Sequence, residues 1–152
     1  KTEKSDCVVD ISVDEFILDK YISNTSNRIE AYKKIASLEI RDDVSDLLDE
    51  LIDRYGDVPE SVMGLIEISL MRVQAASLGI TEIVQRKDTV IFYGSKFSQI
   101  NMTEFLKKTK FRIVINSAGK QYISAQIPVG GNSIDTMKSV LETLLECKDK
   151  DE

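Results

Sequence analysis

Between Ile29 and Leu78 the apolar residues of this chain recur at every third or fourth position, whereas from Ile80 to Pro128 they alternate or fall in short β-branched bursts. A helical period does not settle as a strand, nor a two-residue period as a helix. The switch at Gly79 therefore demands helices first and a sheet afterwards. Ahead of the helices, "CVVDISVDEFIL" (residues 7–18) is β-branched and loosely alternating and reads as a strand.

Three helices fit the first period. Residues 23–27 are crowded with Ser, Asn and Thr, and Asn27 with Glu30 has the spacing of a capping box. Ile29, Tyr32, Ile35 and Ala36 then form an apolar row. In "DDVSDLLDELIDRY" (residues 42–55) the row is Val44, Leu47, Leu48, Leu51, Ile52 and Tyr55, with Asp42 or Asp43 as cap and Gly56 as the terminator. Pro59 suits the start of a third helix, whose buried face is Val62, Leu65, Ile66, Leu70 and Val73 and whose end falls near Leu78 and Gly79.

Past Gly79, residues 80–94 read as two strands around a Lys87-Asp88 turn, and residues 98–109 hold a short helix. "FRIVIN" and "QYISAQI" form a hairpin about Ser117-Ala118-Gly119. Asn132 or Ser133 caps a closing helix with Ile134, Met137, Leu141, Leu144 and Leu145 on its inner side, and the tail "CKDKDE" frays. The fold class is α+β: a three-helix N-terminal part packed with a mostly antiparallel sheet and a C-terminal helix. Residues 1–9 are assigned as a linker tail, 10–147 as one domain and 148–152 as a polar tail. The start at Lys1 rather than Met is read as a cut from a longer polypeptide or as the product of processing.

The chain has 152 residues, no histidine, two cysteines and a net charge of −6. Without histidine the commonest acid/base group and metal ligand is missing. There is no GxxxxGK[ST], GxSxG or GxGxxG motif. The expectation is a fragment without catalytic residues, metal or cofactor, with reduced thiols, no membrane span and a monomeric state. The glycines of "VGGN" (residues 129–132) could cradle an anion at a helix N-terminus or simply connect elements. "KKTKFR" (Lys107, Lys108, Lys110 and Arg112 around Phe111) could contact nucleic acid or RNA polymerase, or could be ordinary edge charge. The acidic balance weighs against nucleic acid as the main partner.

The acidity is concentrated. Between Asp42 and Glu60 eight carboxylates stand against one base, Arg54. Asp46, Asp49, Glu50 and Asp53 share one helix face, where each like-charge i,i+4 pair costs about 0.2–0.5 kcal/mol. Such a face is either plain solvated surface or a docking surface for arginines.

Two blocks carry a family likeness. "ELIDRYGDVPESVMGLIEIS" (residues 50–69) resembles the ELxDRFGxLP segment in the C-terminal domain of the bacterial transcription-repair coupling factor family, which are DNA translocases. "YISNTSNRIEAYKKIAS" (residues 21–37) resembles the same family's YIxDxxxRLxxYKRIAS pattern, and "RVQAASLGI" (residues 72–80) continues it. The chain departs in lacking the prolines around residues 16–23 and in carrying Tyr55 where the family has Phe. The resemblance implies a parent that uses ATP and Mg to translocate on DNA in the bacterial cytoplasm, displaces stalled RNA polymerase and recruits UvrA. It implies that this domain is regulatory and autoinhibitory: it docks on a UvrB-like module of the parent and masks the UvrA-binding surface until RNA polymerase is engaged. Glu50 and Asp53 match the acidic positions of ELxDR and are the implied contacts; Asp46 and Asp49 extend the stripe.

Overall fold

The structure is a computed structural model that describes residues 7–11 and 16–149. Among these residues the chain is α+β, with five α-helices and one five-stranded mixed sheet. It divides into two compact units, one within residues 14–70 and one combining residues 1–13 with 71–152.

The first unit is helical. Helix α1 spans Thr25–Ala36, α2 spans Arg41–Tyr55, and α3, Glu60–Ser77, contributes its residues up to Leu70. Asn24, not Asn27, caps α1: its backbone is extended and its side-chain oxygen accepts from the Asn27 N–H at 3.0 Å. In a run of five small polar residues several could cap, and Asn24 is the one whose side chain meets a free N–H of the first turn; Ala31 and Ile35 of the helix are buried. Ile29 and Tyr32, expected inside, are exposed. Tyr32 works at the margin instead, its hydroxyl accepting from the Ile17 N–H at 2.7 Å.

Helix α2 begins one residue before the expected acids. Ile40 occupies the cap position without a side-chain bond, so neither Asp42 nor Asp43 caps it. Those acids sit in the first turn, where the helix dipole favours them. Val44, Leu47 and Leu51 are buried, and Ile52 is not. Gly56 ends the helix at φ 87°, ψ −162°, a conformation restricted to glycine; its carbonyl accepts from the Tyr21 hydroxyl at 3.1 Å. Val62, Ile66 and Leu70 of α3 complete a core with Ile17, Ile22 and Leu38. Ser69, buried among them, donates to the Ile35 carbonyl at 2.7 Å.

The second unit is built on the sheet, ordered β1-β2-β3-β5-β4. β1 (Val8–Asp10) lies parallel to β2 (Ile80–Arg86), and β3 (Thr89–Gly94), β5 (Tyr122–Gln126) and β4 (Ile113–Asn116) follow antiparallel. The expected N-terminal strand is thus three residues long; residues 16–18 are not strand, and 12–15 lie outside the described residues. Lys87 turns the β2–β3 hairpin at φ 55°. A 3-10 turn (Phe97–Gln99) leads into α4 (Met102–Lys108), and α5 (Ser133–Glu146) packs on β3. Asn132 caps α5, accepting from the Asp135 N–H at 2.8 Å. The register puts Ile83, Phe92 and Ile123 in one row, all fully buried. The tail does not fray at once: the Asp149 N–H donates to the Gln99 carbonyl and the Asn101 N–H to the Cys147 carbonyl, both at 2.8 Å.

Candidate interaction face on helix α2

The four acids of the stripe do not share one environment. Asp46, Asp49 and Asp53 are exposed and, among the described residues, make no ion pair or hydrogen bond with another side chain. Glu50 sits one step towards α1 and is half-buried there. Its Oε2 accepts from Lys34 Nζ of α1 at 2.5 Å and lies 3.4 Å from Arg54 Nη1. Arg54 reaches on to Glu30 Oε1 at 3.5 Å and lies over the Tyr55 ring at 4.9 Å. The hydrogen bond from Lys34 holds the Glu50 carboxyl below its ordinary range, and the same bond raises Lys34.

Helical spacing explains the division. Glu50 is the acid closest to Leu47 and Leu51 around the helix, so it borders the α1–α2 seam, while Asp49 and Asp53 turn the other way. The sequence reading missed Lys34 as Glu50's partner. The only local signal was the adjacent cations Lys33 and Lys34 in the last turn of α1. On the seam's outer side a concavity of about 340 Å³ is lined by Lys34, Ser37, Asp43, Asp46 and Glu50, with Leu38 and Leu47 at its floor. This arrangement offers carboxylates to a cationic partner, with Glu50 fixed and the aspartates free to meet guanidinium groups.

The other candidates are placed as follows. Lys108 of the basic cluster lies 3.9 Å from Glu104 and 3.6 Å from Glu146. Lys110 lies over the Phe111 ring at 5.6 Å, and Lys107 and Arg112 are exposed. In "VGGN", Asn132 serves as the α5 cap. Cys7 and Cys147 are both buried and free; burial pushes the Cys7 thiol up to about 11 and raises Cys147 as well. Among the described residues no group of three or more His, Cys, Asp or Glu is set to hold a metal, and no helix is long and apolar enough to cross a membrane.

The family model of the TRCF domain matches residues 11–105. The chain belongs to the TRCF domain family. Its relatives include the transcription-repair-coupling factor of Staphylococcus aureus (strain USA300), 36% identical over 91 residues that make up 60% of this chain and 8% of that protein. The factor of Staphylococcus haemolyticus (strain JCSC1435) is 32% identical over 104 residues, 67% of this chain and 9% of that protein. The chain thus spans under a tenth of the length of these relatives. A crystal structure of the C-terminal domain of a transcription-repair coupling factor shares the fold, with a TM-score of 0.81, 24% identity and 95% coverage of both chains. The TRCF match takes in all of α1, α2 and α3, and so the whole acidic stripe; β4, β5 and α5 lie beyond it.

Proposed function

We propose that this chain is a non-catalytic regulatory domain of a transcription-repair coupling factor, docking through α2 on a basic face of the parent's UvrB-like module and covering the UvrA-binding surface until RNA polymerase is engaged. The observation that carries the reading is the division within the stripe. Three aspartates on one face of α2 have no partner among the described residues, although the chain has cations with which a merely solvated face could pair. One-sign charge left unpaired costs helix stability and favours encounter with a positive partner. An interface of this polarity is modest in strength and suits a lock that opens. In this reading ATP, Mg and DNA are handled by other parts of the parent, in the bacterial cytoplasm.

Glu50 acts here as a fixed rim group, because Lys34 and Arg54 already hold it. The informative change is therefore at the aspartates. In the full-length coupling factor, Asp49→Arg with Asp53→Arg is expected to raise UvrA affinity on the order of tenfold. The circular dichroism and melting temperature of the 152-residue chain should hardly move. UvrA binding that stays at the wild-type level in a folded double variant counts against masking through this face. Glu50→Arg is a poorer probe, since it also breaks the α1–α2 bond.

A further inference from the structure

Between Glu104 and Asp135 there is no acid at all, while Lys107, Lys108, Lys110, Arg112 and Lys120 all fall there, in a chain of net charge −6. This basic segment contains β4, the last strand of the sheet, which pairs with β5 on one side only. The Gln126 N–H donates to the Arg112 carbonyl at 3.0 Å, which fixes the phase of the ladder. Arg112, Val114 and Asn116 direct their backbone groups to β5, so Ile113 and Ile115 direct theirs outward. Among the described residues no backbone hydrogen bond meets those outward groups. Val114 is 54% exposed beside them.

Edge strands are commonly kept from pairing by charges placed within the strand. Here the strand itself, "IVIN", carries none, and the cations stand just ahead of it. We propose that the outer edge of β4 takes up an extended acidic segment of a partner protein as an added strand. The two outward N–H groups and two outward carbonyls alternate as donor and acceptor, which a peptide backbone matches. A nucleic-acid backbone offers phosphate acceptors and leaves the carbonyls unmet. A second copy of the chain would bring no acid to meet these cations, because its own segment between Glu104 and Asp135 has none. Lys107, Lys110 and Arg112 select acidic side chains at one end of the added strand, and Val114 favours a β-branched residue opposite it. The edge lies outside the segment matched by the family model, so this site is independent of the α2 face.

The test uses the whole chain and a fluorescein-labelled peptide alternating Glu with Val. Saturable binding by anisotropy is expected, with hydrogen exchange slowed about tenfold or more at the Ile113 and Ile115 amides. The Val114 amide, already bonded to β5, should not change. Ile115→Pro removes an outward N–H without breaking the ladder, so a folded variant should lose binding. Should that variant unfold, Lys110→Glu with Arg112→Glu is expected to weaken binding roughly tenfold. The proposal is overturned by absence of saturation, by binding that leaves both amides unprotected, by tighter binding of oligothymidylate than of the peptide, or by a dimer of the free chain that Ile115→Pro dissolves.

Discussion

Helices α2 and α5 are of nearly equal length, 15 and 14 residues, and each carries an apolar stripe. They use it differently. In α5 Met137, Val140, Leu141 and Leu144 are wholly inaccessible, and Ser133 and Thr136 are buried with them. In α2 only Val44, Leu47 and Leu51 are buried, while Ile52 is half exposed and the opposite face holds acids of one sign. Helix α5 is fastened on its inner side and carries mixed charge outside. Helix α2 has a thinner inner face and an outer face whose charges repel. An amphipathic pattern in sequence thus covers two designs, one whose inner face is wholly sealed and one whose inner face is sealed only in part.

The contrast breaks most visibly by truncation. Leu141→Ala should cost about 4 kcal/mol, near the upper end for a buried leucine, and Leu47→Ala about 2 kcal/mol, read from urea unfolding. Equal costs would mean that α2 is as deeply fastened as α5. A smaller effect of opposite sign is expected at Tyr55. Its hydroxyl is buried without a hydrogen-bond partner among the described residues, while its ring packs edge-on against Tyr21 at 5.9 Å. Tyr55→Phe keeps the ring and removes the orphaned group, so thermal unfolding should show a gain of about 1 kcal/mol; a loss would show that the hydroxyl has a partner in solution.

The smallest expected effect concerns the one acid of the stripe that α2 uses internally. The Glu50 carboxyl is held below its ordinary value of 4.5 by the Lys34 hydrogen bond. A depressed carboxyl contributes stability that is complete above its unfolded value and is lost as pH falls through the folded one. Lys34→Met should therefore be less stable than the native chain at pH 7, with the difference shrinking as pH falls below 4.5 and the Glu50 carboxyl takes up its proton. A difference that does not shrink as the pH is lowered would assign the loss to packing of the lysine stem. Carboxyl titration by NMR should show Glu50 returning towards 4.5 in the variant.

What the sequence disclosed was local, and what it concealed was pairing at a distance. The period change at Gly79, the hairpin turns and the cap at Asn132 are written in neighbouring residues, and the structure has them where the spacing puts them. The face of α1 was misassigned because two apolar rows cross that helix, Ile29 with Tyr32 and Ala31 with Ile35, and only the packing of neighbouring helices chooses between them. The acidic stripe was legible as a stripe. Its division was not, because the cation that claims Glu50 comes from another helix. The anchored Cys147–Asp149 segment was concealed for the same reason: its partners at Gln99 and Asn101 lie far back in the chain.

The parallel pairing of β1 with β2 carries a consequence for how such a chain is made. Val8 finds its place opposite Glu82 only after the whole helical unit has been synthesised. Ribosomes deliver chains N-terminus first, so β1 waits unpaired while α1, α2 and α3 emerge. A long apolar strand would be a hazard in that interval. This one has three residues, one of them Asp10, too short and too polar to recruit a stray edge. The strand that must wait for its partner is thus also the shortest of the sheet.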